Sequence, residues 1–134
     1  MTERELAWAA GCFEGEGCIS IDRFYRNNRM QYYLRVSLSN TDEDIIQFFN
    51  SRWAGTVYKE KVRGNCRQCY KWVLTGKKAE KCLAQFSSYF ITHKYQERAK
   101  VAFGFMEAKR SKKPALEEDM YDRSRILNKV GLQI

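Results

Sequence analysis

Two carboxylates, Glu14 and Glu16, flank a glycine in Phe13-Glu14-Gly15-Glu16-Gly17-Cys18, where an apolar helical pattern gives way to the alternation of a strand. Residues 3–14 read as the helix: Thr2 suits its N-cap, Glu3 and Glu5 its positive first turn, and Leu6, Ala9, Ala10 and Phe13 share one apolar face. Gly15 and Gly17 are expected to stop it through the left-handed turn that glycine tolerates. Glu16 then faces the negative end of the helix dipole, which is unfavourable unless a cation compensates. A divalent metal would compensate. On another side, Ala7, Gly11 and Gly15 recur every four residues. They form a smooth stripe where a second helix can approach almost backbone to backbone, although ordinary small core residues read the same way.

The elements around this join belong to a chain of 134 residues, enough for one domain with a real core. Lys and Arg total 24 against 16 for Asp and Glu, a net charge of +8 with a pI near 9.3. That balance favours a polyanionic partner over a neutral one, and eight Tyr, eight Phe and three Trp supply both core and stacking surface. No apolar run reaches membrane-spanning length and no signal-peptide pattern opens the sequence. The expectation is an intracellular protein, cytoplasmic or organellar and not secreted, without a membrane partner. Five cysteines, an odd number without a framework spacing, fit reduced thiols.

Residues 18–24 alternate, with Ile19 and Ile21 on one face and Ser20 and Asp22 on the other. A turn over 25–29, containing Arg26, leads to a cleaner alternation over 31–39: Tyr32, Leu34, Val36 and Leu38 inward, and Gln31, Tyr33, Arg35, Ser37 and Ser39 outward. Such a polar ribbon fits the major groove of DNA; a merely solvated sheet face is the plainer reading. Thr41 is expected to cap a helix, with Asp44 at the capping-box position, that buries Ile45, Ile46, Phe48, Phe49 and Trp53 and ends at Gly55. Residues 56–62 and 68–75 read as a second hairpin around Arg63-Gly64-Asn65, its inward side carrying Tyr70, Trp72 and Leu74. Tyr58, Glu60, Arg67 and Lys71 are its candidate DNA contacts. Cys66 and Cys69 have the spacing of a zinc knuckle or a redox pair, but no second ligand pair lies nearby and His93 is the sole histidine. Helices are expected over 77–90, 92–109 and 114–128, the last begun by Pro114, with Asn128 and Gly131 marking its end. Lys109, Arg110, Lys112 and Lys113 are a further basic run for phosphates or solvent.

Ala9 to Gly17 resembles the LAGLIDADG motif of homing endonucleases in its acidic, glycine-rich variant, with Gly11, Glu14, Gly15, Glu16 and Gly17 in register and the Ile19-Ser20-Ile21 strand start matching. The order helix, hairpin, helix, hairpin, helices matches too. The resemblance implies an α+β fold, an αββαββα core whose saddle-shaped antiparallel sheet straddles DNA, with additional C-terminal helices, all within one domain over 1–134. A single motif copy resembles the homodimeric branch, which implies an interface of Ala7, Gly11, Glu14 and Gly15 and a roughly palindromic site.

Residue by residue, the resemblance places Glu16 on the metal-binding acid and the Gly15 backbone carbonyl beside it. Glu14 falls on the acid that helps to hold the helix pair. Asn40 matches the polar residue that positions water or metal, Lys94 a basic residue near the active site, and Asp44 departs from a basic residue in some relatives. The implied cofactor is Mg²⁺, with Mn²⁺ able to substitute and Ca²⁺ supporting binding without cleavage. The implied activity is a double-strand break in DNA across the minor groove, leaving short 3′ overhangs. An intron-splicing maturase acting on intron RNA, or a regulator that has lost cleavage, is the alternative on the same fold.

Overall fold

The computed structural model describes residues 1–131. Thr2 opens the first helix as the sequence predicts: its hydroxyl accepts from Glu5 N at 3.1 Å while the Glu5 carboxylate reaches back to Thr2 N at 3.3 Å. Glu5 also meets Arg52 at 2.7 Å, and that contact, with those from Thr2, holds its carboxyl well below the usual range, at about 2. Helix α1 runs Glu3–Glu16 and buries Ala9, Ala10 and Phe13. It continues through Gly15, and the capping Gly17 has φ −81° and ψ 166°, so neither glycine takes the left-handed conformation expected of them. Gly17 is required for space instead: a Cβ there would sit 2.6 Å from the Phe13 carbonyl oxygen and against its ring.

Strands β1 (Gly17–Arg26) and β2 (Arg29–Asn40) pair antiparallel through a hairpin narrower than expected. Only Asn27 and Asn28 form its turn, with φ of 52° and 57°, the two-residue geometry that asparagine tolerates. Helix α2 (Glu43–Trp53) begins one residue later than expected: the Asn40 side chain takes the Asp42 N–H at 2.8 Å, and Asp42, rather than Thr41, caps the helix by accepting from Asp44 N at 3.0 Å. The second hairpin is shorter than read from the sequence, with β3 at Thr56–Lys59 and β4 at Tyr70–Thr75. Glu60 N still donates to the Cys69 carbonyl at 2.8 Å, but the Glu60 carbonyl accepts from the Gln68 side-chain amide at 2.7 Å, which also donates to the Cys69 carbonyl at 2.9 Å.

The four strands lie in the order β1-β2-β4-β3. Leu34, Val36 and Leu38 of β2 and Trp72 and Leu74 of β4 supply the core face, as expected. Against them pack α1, α2, α3 (Gly76–Phe86) and α4 (His93–Arg110), α3 and α4 being joined through a short 3-10 turn at Ser87–Tyr89. Aromatic rings hold the layers together: Phe49 lies 5.2 Å from Trp72, Trp53 4.9 Å from Phe86, and Phe13 5.5 Å from Phe86. Helix α5 (Pro114–Gly131) packs on α4 and along β1, where Asn128 donates to the Ile19 carbonyl at 3.2 Å and so occupies an otherwise open strand edge. Among the described residues no helix is long and apolar enough to cross a membrane.

Candidate functional site

The α1 terminus, the end of β2 and the start of α4 converge. Glu16 is exposed, and its Oε2 accepts from Asn40 Nδ2 at 2.7 Å. The Asn40 Oδ1 meanwhile accepts from Asp42 N. Both ends of the amide are engaged, which fixes its orientation because the swapped form would set donor against donor. Asn40 thus aims the Glu16 carboxylate. No basic residue stands in the last turn of α1, so in that turn the negative helix end has no side-chain cation. Exposed carboxylate and backbone oxygens at such an end suit a hard divalent cation. Among the described residues no three His, Cys, Asp or Glu side chains gather as a metal cage.

Glu14 points elsewhere. Its Oε2 accepts from Ile91 N at 2.9 Å and from Thr92 N and Oγ1, both at 2.8 Å, so within this chain it caps the N-terminus of α4. The Tyr95 hydroxyl donates to the Gly17 carbonyl, a second tie between α4 and the end of α1. Burial pushes the Tyr95 hydroxyl pKa up. Neither tie is visible in the sequence, although Thr92 and Tyr95 bracket His93 and Lys94. Lys94 is exposed on the first turn of α4, its Nζ 5.6 Å over the Tyr95 ring. Among the described residues it makes no hydrogen bond or ion pair to Glu16 or Asn40, and it sits on an element anchored to the same helix end.

Ala7, Gly11 and Gly15 are all exposed, and a Cβ built on Gly11 or Gly15 would meet nothing within 4 Å. The stripe is therefore not core packing of this chain. Trp8 beside it keeps 47% of its surface exposed, with its ring edge-on to Phe48.

Register settles the faces of the sheet. Asp22 lies opposite Tyr33, Ser20 opposite Arg35, which in turn lies opposite Thr75, Ser37 opposite Val73, and Ser39 opposite Lys71, which pairs with Tyr58. Ser20, Asp22, Arg26, Gln31, Tyr33, Arg35, Ser37, Ser39, Tyr58 and Lys71 consequently share the face away from the core. Cys18, Phe24, Thr56 and Thr75 join them there, and Ser37 is buried among its neighbours. Glu60 reaches the same face, accepting from Ser39 Oγ at 3.0 Å, while Arg67 is exposed in the loop before β4. Asp22 accepts from Ser20 Oγ at 3.0 Å, Tyr33 Oη at 3.3 Å and Arg35 at 3.5 Å. Burial and the neighbouring Asp22 charge raise the Tyr33 hydroxyl pKa. A cleft continues from Ser20, Asp22 and Tyr33 to Arg125 and Lys129 of α5.

The basic run at the end of α4 divides. Lys109 donates to the Tyr32 carbonyl at 2.6 Å and Arg110 contacts Glu80 at 2.7 Å and Glu107 at 3.0 Å, so both serve to fasten the fold. Lys112 and Lys113 stay exposed. Cys66 and Cys69 are free thiols, the Cys69 thiol pushed up by burial and by Glu60.

Against this geometry, the family model for LAGLIDADG endonucleases matches residues 9–102, from the motif into the middle of α4. The chain belongs to the LAGLIDADG endonuclease family. Solved structures share its fold. The homing endonuclease I-CvuI in complex with its target in the presence of 2 mM Ca is 18% identical, with a TM-score of 0.74 over 92% of this chain and 82% of that one. I-CvuI with an I-CreI target and 2 mM Mg, its DNA not cleaved, is likewise 18% identical with a TM-score of 0.74, over 93% and 82%. The archaeal intron-encoded homing endonuclease I-Vdi141I complexed with DNA is 12% identical, with a TM-score of 0.70 over 95% and 84%. No curated protein matches the chain by sequence.

Proposed function

We propose that this LAGLIDADG family member is a sequence-specific homing endonuclease: a homodimer that makes a divalent-metal-dependent double-strand break at a long, roughly palindromic DNA site, inside the cell. The observation that carries the reading is the Glu16–Asn40 contact at an uncompensated helix end beside a polar sheet face. A protein that only binds nucleic acid gains nothing from a carboxylate aimed at phosphates. The exposed stripe supports the dimer, in which two copies of Ala7, Gly11 and Gly15 meet about a two-fold axis and bring both Glu16 residues together. The resulting break would leave short 3′ overhangs.

In that arrangement Glu16 and the Gly15 carbonyl would hold Mg²⁺, or Mn²⁺ in its place, while Ca²⁺ would permit binding without cutting. The cation, when bound, neutralises the scissile phosphate and acidifies a water. Asn40 keeps the Glu16 carboxylate in one orientation through its Nδ2 and retains a second N–H for an attacking water. Lys94 steadies the phosphate charge as its negative character grows. Glu14 works indirectly, by fixing the helix that carries Lys94. The sheet face supplies Gln31, Tyr33, Arg35, Ser39, Tyr58 and Lys71 to the major groove on either side. That I-CvuI is seen with its DNA target and calcium supports the choice of partner and of cation class.

Selection from a randomised duplex library, with and without Mg²⁺, tests this. Cut products are expected only with Mg²⁺, and their consensus should read nearly the same on both strands. Sequences that are bound but never cut would overturn the nuclease reading in favour of a regulator. Binding confined to structured RNA would favour a maturase.

A further inference from the structure

Asp22 is the one acidic residue in any of the four strands, which otherwise carry Arg23, Arg26, Arg29, Arg35, Lys59 and Lys71. On a face that meets a polyanion a carboxylate is repelled by phosphates. It is rewarded only where it lies against a base amino group, which cytosine N4 and adenine N6 present in the major groove. The Asp22 carboxylate is neither loose nor hidden. Ser20 and Tyr33 hydroxyls donate to it at 3.0 and 3.3 Å, and its side chain keeps 30% of its surface exposed.

Arg35 reaches the same carboxylate at a long 3.5 Å and is itself 28% exposed. One N–H of five is turned to Asp22, leaving a fork for another acceptor pair. The two side chains are diagonal neighbours on one face, Ser20 lying opposite Arg35 and Asp22 opposite Tyr33. A G·C pair shows guanine N7 and O6 as acceptors and, next to O6, cytosine N4 as a donor. An Arg beside an Asp matches that series in order. An A·T pair sets its N6 donor against the Arg, and its thymine O4 acceptor against the Asp.

We propose that Asp22 and Arg35 jointly read one G·C pair in each half-site, Arg35 on the guanine edge and Asp22 on the cytosine amino group, with Ser20 and Tyr33 holding the carboxylate in place. This rests on the DNA-endonuclease reading above and adds to it a base identity. Tyr33 and Ser20 are positioning residues: a hydroxyl on each side leaves Asp22 few orientations, so the reader is set before DNA arrives.

Duplex selection by binding in Ca²⁺, where cleavage does not remove sites, tests the proposal with the wild type, Asp22→Ala, Asp22→Asn and Arg35→Ala. The wild-type consensus should contain a G·C pair at one symmetric position of each half-site, and changing it to A·T should weaken binding about 10- to 100-fold. Asp22→Ala should relax that position alone. Asp22→Asn, which keeps the shape, should discriminate less against A·T there, since its amide N–H can donate to the thymine O4 that a carboxylate repels. Arg35→Ala should lose the guanine at the same position. An unchanged consensus with uniformly altered affinity in the Asp22 and Arg35 variants would make both residues general electrostatic or structural elements and overturn the proposal. If the wild type binds and cuts but selects no G·C pair there, only this inference falls. If it enriches no DNA at all, the endonuclease reading falls with it.

Discussion

Replacing Gly11 by leucine separates the two faces of α1 most cleanly, because it should do opposite things to the chain and to the dimer. Within one chain a Cβ at Gly11 meets nothing within 4 Å, so no clash is added, and removing a glycine from a helix interior gains roughly 0.5–1 kcal/mol. In the dimer the same side chain enters a contact between small residues, where overpacking costs about 1–3 kcal/mol. Two-fold symmetry doubles it to roughly 2–6 kcal/mol, a dimer weaker by about 30- to 20,000-fold. Sedimentation velocity over a concentration series should show wild-type dimer and variant monomer, with helix content by circular dichroism unchanged. A variant that sediments as the wild-type dimer would remove the stripe from the interface. One that loses helix content would put the stripe inside its own fold.

Glu14→Ala removes the acceptor for Ile91 N, Thr92 N and Thr92 Oγ1. Bonds to a charged acceptor are worth about 1.5–3 kcal/mol, so calorimetry should find Tm lower by about 5–10 °C; a fall within error would mean that water replaces the carboxylate. Gly17→Ala should cost about 1–3 kcal/mol in urea unfolding because of the Phe13 carbonyl. Gly17→Asn should be no better, and rescue by asparagine would restore the left-handed explanation. Glu5 has its carboxyl lowered from 4.5 to about 2 by Arg52 and Thr2, so the stability it adds is complete above pH 4.5 and lost as pH falls toward 2. Thermal melts across that window should flatten in Glu5→Gln and in high salt; identical acid limbs would deny the Arg52 contact a role in solution.

Much of this architecture was legible in local chemistry. The N-cap at Thr2, the alternation of Leu34, Val36 and Leu38, and Pro114 at the first turn of α5 are decided within a few residues, and all stand where expected. What was not legible depends on contacts distant in sequence. Thr41 yielded its cap to Asp42 because Asn40, turned toward Glu16, takes the Asp42 N–H. In the second hairpin the regular ladder gives way beyond Lys59 to a Gln68 side-chain bond to the Glu60 carbonyl. Glu14 became a cap for a helix beginning some eighty residues later, and Gly17 was required by the bulk of Phe13 rather than by its own backbone angles. The outward residues of the ribbon were read correctly as a face, but the way Asp22 gathers Ser20, Tyr33 and Arg35 needed the register of β1 on β2.

The most direct test of the catalytic assignment is cleavage by Glu16→Gln of a site selected with the wild type. Glutamine keeps the size of the side chain and an oxygen for Asn40 but removes the charge that a divalent cation requires. With Mg²⁺ the variant should cut at a rate at least a thousandfold below wild type, roughly 4 kcal/mol of transition-state stabilisation. Its affinity for the same duplex in Ca²⁺ should stay within about tenfold, since recognition lies on the sheet. Retained cleavage would contradict the assignment of Glu16 to the metal, and joint loss of cleavage, affinity and thermal stability would make it a structural residue.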